Sequence, residues 1–405
     1  MSVVAFPAPA RREIAPGAWL RLTSLAASSA AALAVASGAI GLGPEHRVLA
    51  ALGLPPLVAL VLAAAQAHRR LLPWAVAALV LFLGAGVVLT ADAHLVLAAA
   101  ALAATVAVTV QSWRGERIAS GAWRDYVTLT KPRIMSLLLL TGLCGMVVGQ
   151  RGMPPPGRLV AAVIGLALAC GGASALNHLL DRDIDRLMGK RTETRPVAAG
   201  RIAPVRALEF GLALSAFSFV LLAGAVNLLA ASLALLGNLF YVGVYTRWLK
   251  RSTPQNIVIG GAAGAIPPLV GFAAASGRLG IAALWLFLIV FLWTPPHFWA
   301  LALLLKEHYA KANVPMLPVT EGERATLRQI LGYSLVLVAV TVLPAALGTF
   351  GTVYLVAAVA LGGGFVALAL RLVRAATRRN AGLLFHASLL YLALLFVAAA
   401  VDAAL

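Results

Sequence analysis

The stretch Asn177-His-Leu-Leu-Asp181-Arg-Asp183-Ile-Asp185-Arg-Leu-Met-Gly-Lys190-Arg191-Thr-Glu-Thr-Arg195-Pro196 closes an apolar run that starts at Leu159. That run is long enough to cross a bilayer as a helix, which puts its polar end at headgroup depth. Asn177, Asp181 and Asp185 recur at i, i+4 and i+8, so at 100° per residue they drift about 40° per step and form one polar ridge. Asp183 points elsewhere. Acidic side chains are scarce, fourteen in 405 residues, and polar groups at membrane depth mark function by default. The bland reading, carboxylates paired with neighbouring arginines on a solvated loop, explains neither the amide nor the fourfold spacing. An amide and two carboxylates on one face suit a hard cation such as Mg²⁺, which takes oxygen ligands and shares them with a substrate phosphate. Around them, Lys190, Arg191 and Arg195 supply the donors that phosphate oxygens need.

Over its full length the chain is 61% hydrophobic and 11% charged, too little polar surface for a soluble fold of 405 residues. Continuous apolar runs of about twenty residues exclude a transmembrane barrel, whose strands would alternate. The expectation is an all-α, polytopic membrane protein embedded in the lipid bilayer. Its net charge of +18 would suggest nucleic acid in a soluble protein. Here the Lys and Arg residues fall in alternate loops beside apolar spans, so they report orientation and attraction for anionic lipid or substrate, with no nucleic-acid partner. Cys144 and Cys170 lie inside spans and make no disulfide case.

Four apolar runs come first, near Trp19 to Leu42, Val48 to Ala67, Leu71 to Leu89 and His94 to Val110. A polar segment from Gln111 to Asp125 follows, and a boundary near Gly121 separates a four-helix transmembrane domain (1–120) from a second membrane domain (121–405) with nine spans. The nine run roughly Ser136 to Val148, Leu159 to Leu180, Leu208 to Leu222, Val226 to Tyr245, Ile257 to Ala275, Ile281 to Leu305, Ile330 to Leu347, Val353 to Leu372 and Leu383 to Val401. Every long charged loop then falls on one face, the cytoplasmic one by the positive-inside tendency. Gly260 with Gly264, and Gly171-Gly172-Ala173, would let helix backbones approach closely.

Two more stretches carry chemistry. In Tyr245-Thr-Arg247-Trp-Leu-Lys250-Arg251-Ser-Thr-Pro-Gln-Asn256, Lys250 and Arg251 read alone as a snorkelling pair. In Trp293-Thr-Pro295-Pro296-His297-Phe298-Trp299, two prolines are expected to break a transmembrane helix beside a histidine, leaving unwound backbone where it lines a cavity. A hydrogen-bonded core histidine is the competing reading of His297.

From Arg124 onward the chain resembles the intramembrane prenyltransferases of the UbiA type and, within them, the protohaem IX farnesyltransferases. The matching stretches are Asp125-Tyr126 with Leu129-Thr-Lys131-Pro132-Arg133, the Asn177/Asp181/Asp185 motif with Arg191-Thr-x-x-Arg195-Pro196, and Tyr245 to Asn256 continued by Ile-Val-Ile-Gly-Gly. Trp293 to Trp299 and Val314-Pro-Met316-Leu-Pro318-Val complete the set. The resemblance implies a nine-helix fold with a central cavity, Mg²⁺-assisted ionisation of farnesyl diphosphate, and transfer of the farnesyl group to a vinyl of protohaem IX with addition of water, giving haem O for terminal oxidase assembly. It implies an inner-membrane location, with haem A synthase or oxidase assembly factors as partners. Asn177, Asp181 and Asp185 would then hold metal and diphosphate. Arg191, Arg195, Lys250 and Arg251 would be catalytic cations, and Lys131, Arg133, Asn256, His297 and Tyr309 would contact substrate.

Two departures from that pattern stand out. Glu307-His308-Tyr309 occupies the place of an Asp-Tyr motif, which leaves Glu307 as the candidate second metal ligand. The Met188-Gly-Lys190-Arg191 segment is one residue longer than the usual spacing. The first four spans lie outside the resemblance; their histidines are weakly similar to those of half a haem A synthase, making His46 and His94 candidate haem ligands, with interfacial histidines in a docking bundle as the other reading. Competing functions are a prenyltransferase acting on a quinone ring or chlorin, and a transporter of an amphipathic anion.

Overall fold

The computed structural model describes residues 16–39, 43–67, 71–87, 91–112, 122–189 and 192–405. The chain divides into two compact units, Met1–Arg117 and Ile118–Leu405. Among the described residues all regular structure is helical, and ten helices are long and apolar enough to cross a membrane, nine of them in the second unit. Their outward side chains are large and apolar, Leu62, Val80, Phe217, Leu239 and Val356 among them, as lipid contact requires and water contact would not allow in such density. The protein is a multi-pass membrane protein.

In the first unit α1 (Pro16–Ala39), α2 (Gly43–Ala67), α3 (Leu72–Val87) and α4 (Ala91–Ser112) pack in sequence, and α4 returns to α1. Leu20, Leu57, Leu60, Ala64, Ala78 and Val108 form its core. A hydroxyl bond, Ser28 Oγ to Thr109 Oγ1 at 2.9 Å, ties α1 to α4, the kind of polar contact that holds helices together where lipid removes the hydrophobic drive.

The second unit opens with the short α5 (Trp123–Leu129). The long helices α6 (Pro132–Gln150), α7 (Pro156–Leu180), α9 (Pro204–Ala225), α14 (Ile281–Leu304), α17 (Gly322–Ala346), α18 (Thr352–Arg374) and α19 (Arg378–Ala404) each span in one piece. Two further spans are composite: α10 (Leu228–Leu239) continues through a π-helical segment (Phe240–Leu249) into α11 (Lys250–Ser252), and α12 (Asn256–Gly264) continues into α13 (Ile266–Ser276). Short helices α8 (Arg182–Leu187), α15 (Lys306–Lys311) and α16 (Leu317–Thr320) lie in the charged loops. The last helix, α19, packs back on α6, so the nine spans close on one another.

Glycine lets some of these backbones touch. A Cβ at Gly271 of α13 would collide with the Gly142 carbonyl of α6, and one at Gly172 would stand 2.8 Å from the Gly211 carbonyl of α9. Gly172 therefore has the packing use its sequence suggested.

The expected break at Pro295–Pro296 does not occur, and α14 runs unbroken through both prolines. Two missing N–H groups leave the Phe291 and Leu292 carbonyls without their helical partners. Neighbouring side chains hold the turn instead: Thr294 Oγ1 donates to Val290 O at 2.8 Å, and Trp293 Nε1 donates to Ser388 O of α19 at 2.8 Å. His297 is buried between the rings of Trp293 and Phe385, at centroid distances of 4.3 and 4.8 Å, with Nδ1 2.6 Å from Ser388 Oγ. It is a hydrogen-bonded core histidine on a regular helix.

Candidate active site

The polar ridge forms where α7 ends. Asp181 sits at the bend between α7 and α8, yet Asp181 N still bonds Asn177 O and Asp185 N bonds Asp181 O, both at 2.8 Å, so the fourfold phase survives the bend. Asn177, Asp181 and Asp185 are all buried, Asp181 completely. Asp183 points away and is exposed; its two oxygens each take a 2.7 Å bond from Arg251, which holds its carboxyl below the usual carboxylate range.

Cations from three separate segments converge on the ridge. Lys250, the first residue after the π-helical segment, bonds Asp181 Oδ2 at 2.5 Å. Arg195 meets Asp185 Oδ1 at 2.7 Å. Lys131 donates to Asn177 Oδ1 at 2.7 Å, and Asn177 Nδ2 donates in turn to Asp181 Oδ2 at 2.8 Å and Thr246 Oγ1 at 3.1 Å. Burial, reinforced by the charges of Arg195 and Lys250, pulls the Lys131 ammonium down to about 7. Burial also raises Asp185, against the pull of Arg195.

Local structure explains these positions. Lys131 joins α5 to α6 in the left-handed region (φ 51°, ψ 60°) immediately before Pro132, a strained backbone that aims its side chain back across α7. Arg195 stands on a loop fastened at several points: Thr192 Oγ1 donates to Asp185 O, Arg186 Nε to Ala198 O, and Arg201 to Asp125 Oδ1 and Thr194 O. The π-helical segment, with hydrogen bonds reaching one residue further than in an α-helix, puts Thr246 and Lys250 on the ridge side together.

Each carboxylate spends one oxygen on a cation and leaves the other, Asp181 Oδ1 and Asp185 Oδ2, buried with no hydrogen-bond partner among the described residues. Two buried, unpartnered, anionic oxygens beside an amide and three cations fit a hard cation that bridges to an anion.

The other sequence candidates divide. Tyr309 lies in the electrostatic environment of Tyr245 and Lys250 and so borders the site. Asn256 is buried but bonds Thr253 O at 2.6 Å and Pro315 O at 3.4 Å, bracing the start of α12 against the loop before α16. Arg133 is exposed, and Arg251 is committed to Asp183 and the Leu180 carbonyl. Glu307 is exposed and lines a separate cleft with Lys306, His308, Glu323 and Arg378; among the described residues no three His, Cys, Asp or Glu side chains gather as a metal site, so it does not join Asp181 and Asp185. Glu307 lies two residues before Tyr309 on α15, about 200° round the helix, so the two side chains leave on opposite faces, a direction the motif alone does not encode. Lys190 and Arg191, and the side chains of His46 and His94, lie outside the described residues. Sequence reasoning missed Thr246, whose place on the ridge depends on the π-helical phase.

Fold and site together describe a bundle of transmembrane helices that carries a buried, cation-rich carboxylate ridge, an arrangement suited to an anion held through a hard cation. The UbiA prenyltransferase family profile matches residues 138–398, all within the second unit, and the chain belongs to that family. It is 54% identical over 290 residues to the protoheme IX farnesyltransferase of Symbiobacterium thermophilum, covering 71% of this chain and 97% of that one. It is 52% identical over 279 residues to the protoheme IX farnesyltransferase of Roseiflexus sp., there covering 69% of this chain and 52% of the longer relative. Among solved structures it is similar to digeranylgeranylglyceryl phosphate synthase (TM-score 0.59, 20% identity, 69% of this chain and 98% of that one). It is also similar to a UbiA homologue from Archaeoglobus fulgidus bound to GPP and Mg²⁺ (TM-score 0.51, 19% identity, 68% and 99%). These two likenesses concern the fold.

Proposed function

We propose that this prenyltransferase moves the farnesyl group of farnesyl diphosphate onto a vinyl group of protohaem IX, with addition of water, to give haem O. The observation that carries the diphosphate half of the reading is the pair of buried, unpartnered carboxylate oxygens on Asp181 and Asp185 beside Lys131, Arg195 and Lys250. The acceptor half rests on half-identical relatives that bear the name protoheme IX farnesyltransferase. Asp181, Asp185 and Asn177 would hold Mg²⁺, which supplies charge neutralisation to the leaving diphosphate. Lys250 and Arg195, already at the carboxylates, and Lys131 beside Asn177 would meet phosphate oxygens as the C1–O bond breaks and the diphosphate keeps the electron pair. The vinyl π electrons then form the new C–C bond, and water adds to the resulting cation with loss of a proton. The farnesyl cation requires an apolar, water-poor setting until the vinyl reaches it.

The charged loops would face the cytoplasm of a cell whose inner membrane holds the protein, following the concentration of basic residues on one side. Terminal oxidase assembly factors or haem A synthase would then take the product. Family membership sets the transporter reading aside. The test is incubation with protohaem, farnesyl diphosphate and Mg²⁺, with the haem product identified by mass, beside parallel reactions offering aromatic acids or chlorins. A haem gaining one farnesyl and one hydroxyl group is expected; prenylation of the other acceptors alone would replace protohaem with a quinone-ring or chlorin substrate.

A further inference from the structure

His178 is the side chain that the site so far leaves without a use. It is 2% exposed, and among the described residues neither ring nitrogen has a hydrogen-bond partner. A buried polar group left unpaired is costly and rare in a native structure, and its usual explanation is a ligand or a water. The contrast with His297 is direct, since that core histidine is satisfied by Ser388 Oγ at 2.6 Å.

Its position on α7 points the same way. At 100° per residue His178 lies about 60° round the helix from Asp181, in the sector of the ridge. Two turns earlier on the same face stands Gly171, where a Cβ would lie 3.2 Å from the Thr130 side chain, so this face of α7 looks onto the junction that presents Lys131. The charges that act on the ring are those of Lys131, Arg195 and Lys250, the three cations of the ridge.

On the reading of the site given above, we propose that His178 is a diphosphate-binding residue, its ring N–H donating a hydrogen bond to a phosphate oxygen of the prenyl diphosphate. A neutral imidazole carries one donor and one acceptor, so it adds a directional bond to the anion without adding a fourth positive charge to a buried cluster. Asn177 and His178 would then divide their work, the amide bonding the Asp181 carboxylate and Lys131, the imidazole fixing the leaving group.

The test measures binding rather than turnover, using purified full-length protein in detergent, Mg²⁺, and two probes: inorganic diphosphate and farnesyl S-thiolodiphosphate. His178→Phe keeps the volume and removes the donor, whereas His178→Asn keeps a donor. His178→Phe is expected to weaken both probes by about 10- to 100-fold, with KM for protohaem unchanged and most of the loss recovered by His178→Asn. Unchanged probe binding by a folded His178→Phe protein overturns the assignment. A loss that Asn does not recover, or one shared equally by protohaem, overturns it too and makes the ring a packing element. Should the Phe variant fail to fold, ¹⁵N-histidine spectra of the wild-type protein decide: diphosphate should shift the ring nitrogens of one histidine that disappears in His178→Asn, and no shift overturns the proposal. Failure of the wider site reading looks different, because Asp181→Ala would then bind both probes as the wild type does.

Discussion

Asp181 and Asp185 each combine a charge-paired oxygen with a buried, unpartnered one, and that division predicts what substitution does. Alanine at either position should cut haem product formation by at least about 100-fold while detergent chromatography shows folded protein, with Asn recovering only part. Turnover near wild type in a folded alanine variant would refute the ridge as the reacting centre. Glu307→Ala should leave the Mg²⁺ concentration for half-activation unchanged, because Glu307 faces the cleft of Lys306 and Arg378 and not the ridge. A clear rise in that concentration would mean that α15 turns during the reaction. The ridge was legible in the sequence because fourfold spacing maps directly onto one helix face, and backbone bonds carry that phase across the bend at Asp181. Arg251 was not, since a basic pair beside a membrane gives no hint that one member serves Asp181 and the other the exposed Asp183. His178 was hidden by its neighbour: a lone histidine next to a recognised motif carries no spacing of its own.

Among the elements, α18 shows how a helix end is satisfied from elsewhere. Its N-cap is Gly351, which has no side chain, and Asp402 near the end of α19 accepts from both Gly351 N and Tyr354 N. Asp402→Ala should lower stability by about 1–2 kcal/mol, seen as a lower thermal midpoint in detergent, with activity per folded molecule unchanged. An unaltered midpoint would show that other groups can cap α18. The π-helical segment makes a sharper prediction. Deleting Gly243, which has open space around it, should return the segment toward α-helical phase, swing Lys250 about 100° from Asp181 and abolish product formation, whereas Gly243→Ala keeps the phase and should stay near wild type. Equal activity of the two would show that the offset is dispensable. Neither this segment nor the unbroken α14 was readable beforehand: a π turn has no residue signature, and paired prolines foretell a break unless the partners on α19 that hold the turn are known.

At the scale of the whole chain, the family match at residues 138–398 lies inside the second compact unit. A protein comprising Ile118–Leu405 should therefore fold and form product at a rate within a few-fold of the full chain; an inactive but folded fragment would make the first unit part of the catalytic apparatus. The two-part division was legible as a polar interruption between apolar runs. The pairing of distant charges was not, because it is fixed only when the spans close. That long separation bears on how the protein is made. Asp185 meets its partner ten residues later, but Lys250 comes 69 residues after Asp181. At synthesis rates of 5–20 residues per second, the carboxylate at the end of α7 waits roughly 3 to 14 seconds at the membrane before its counter-charge has been translated. The nascent chain must therefore keep Asp181 hydrated at the interface, and the site seals only when the later hairpin arrives.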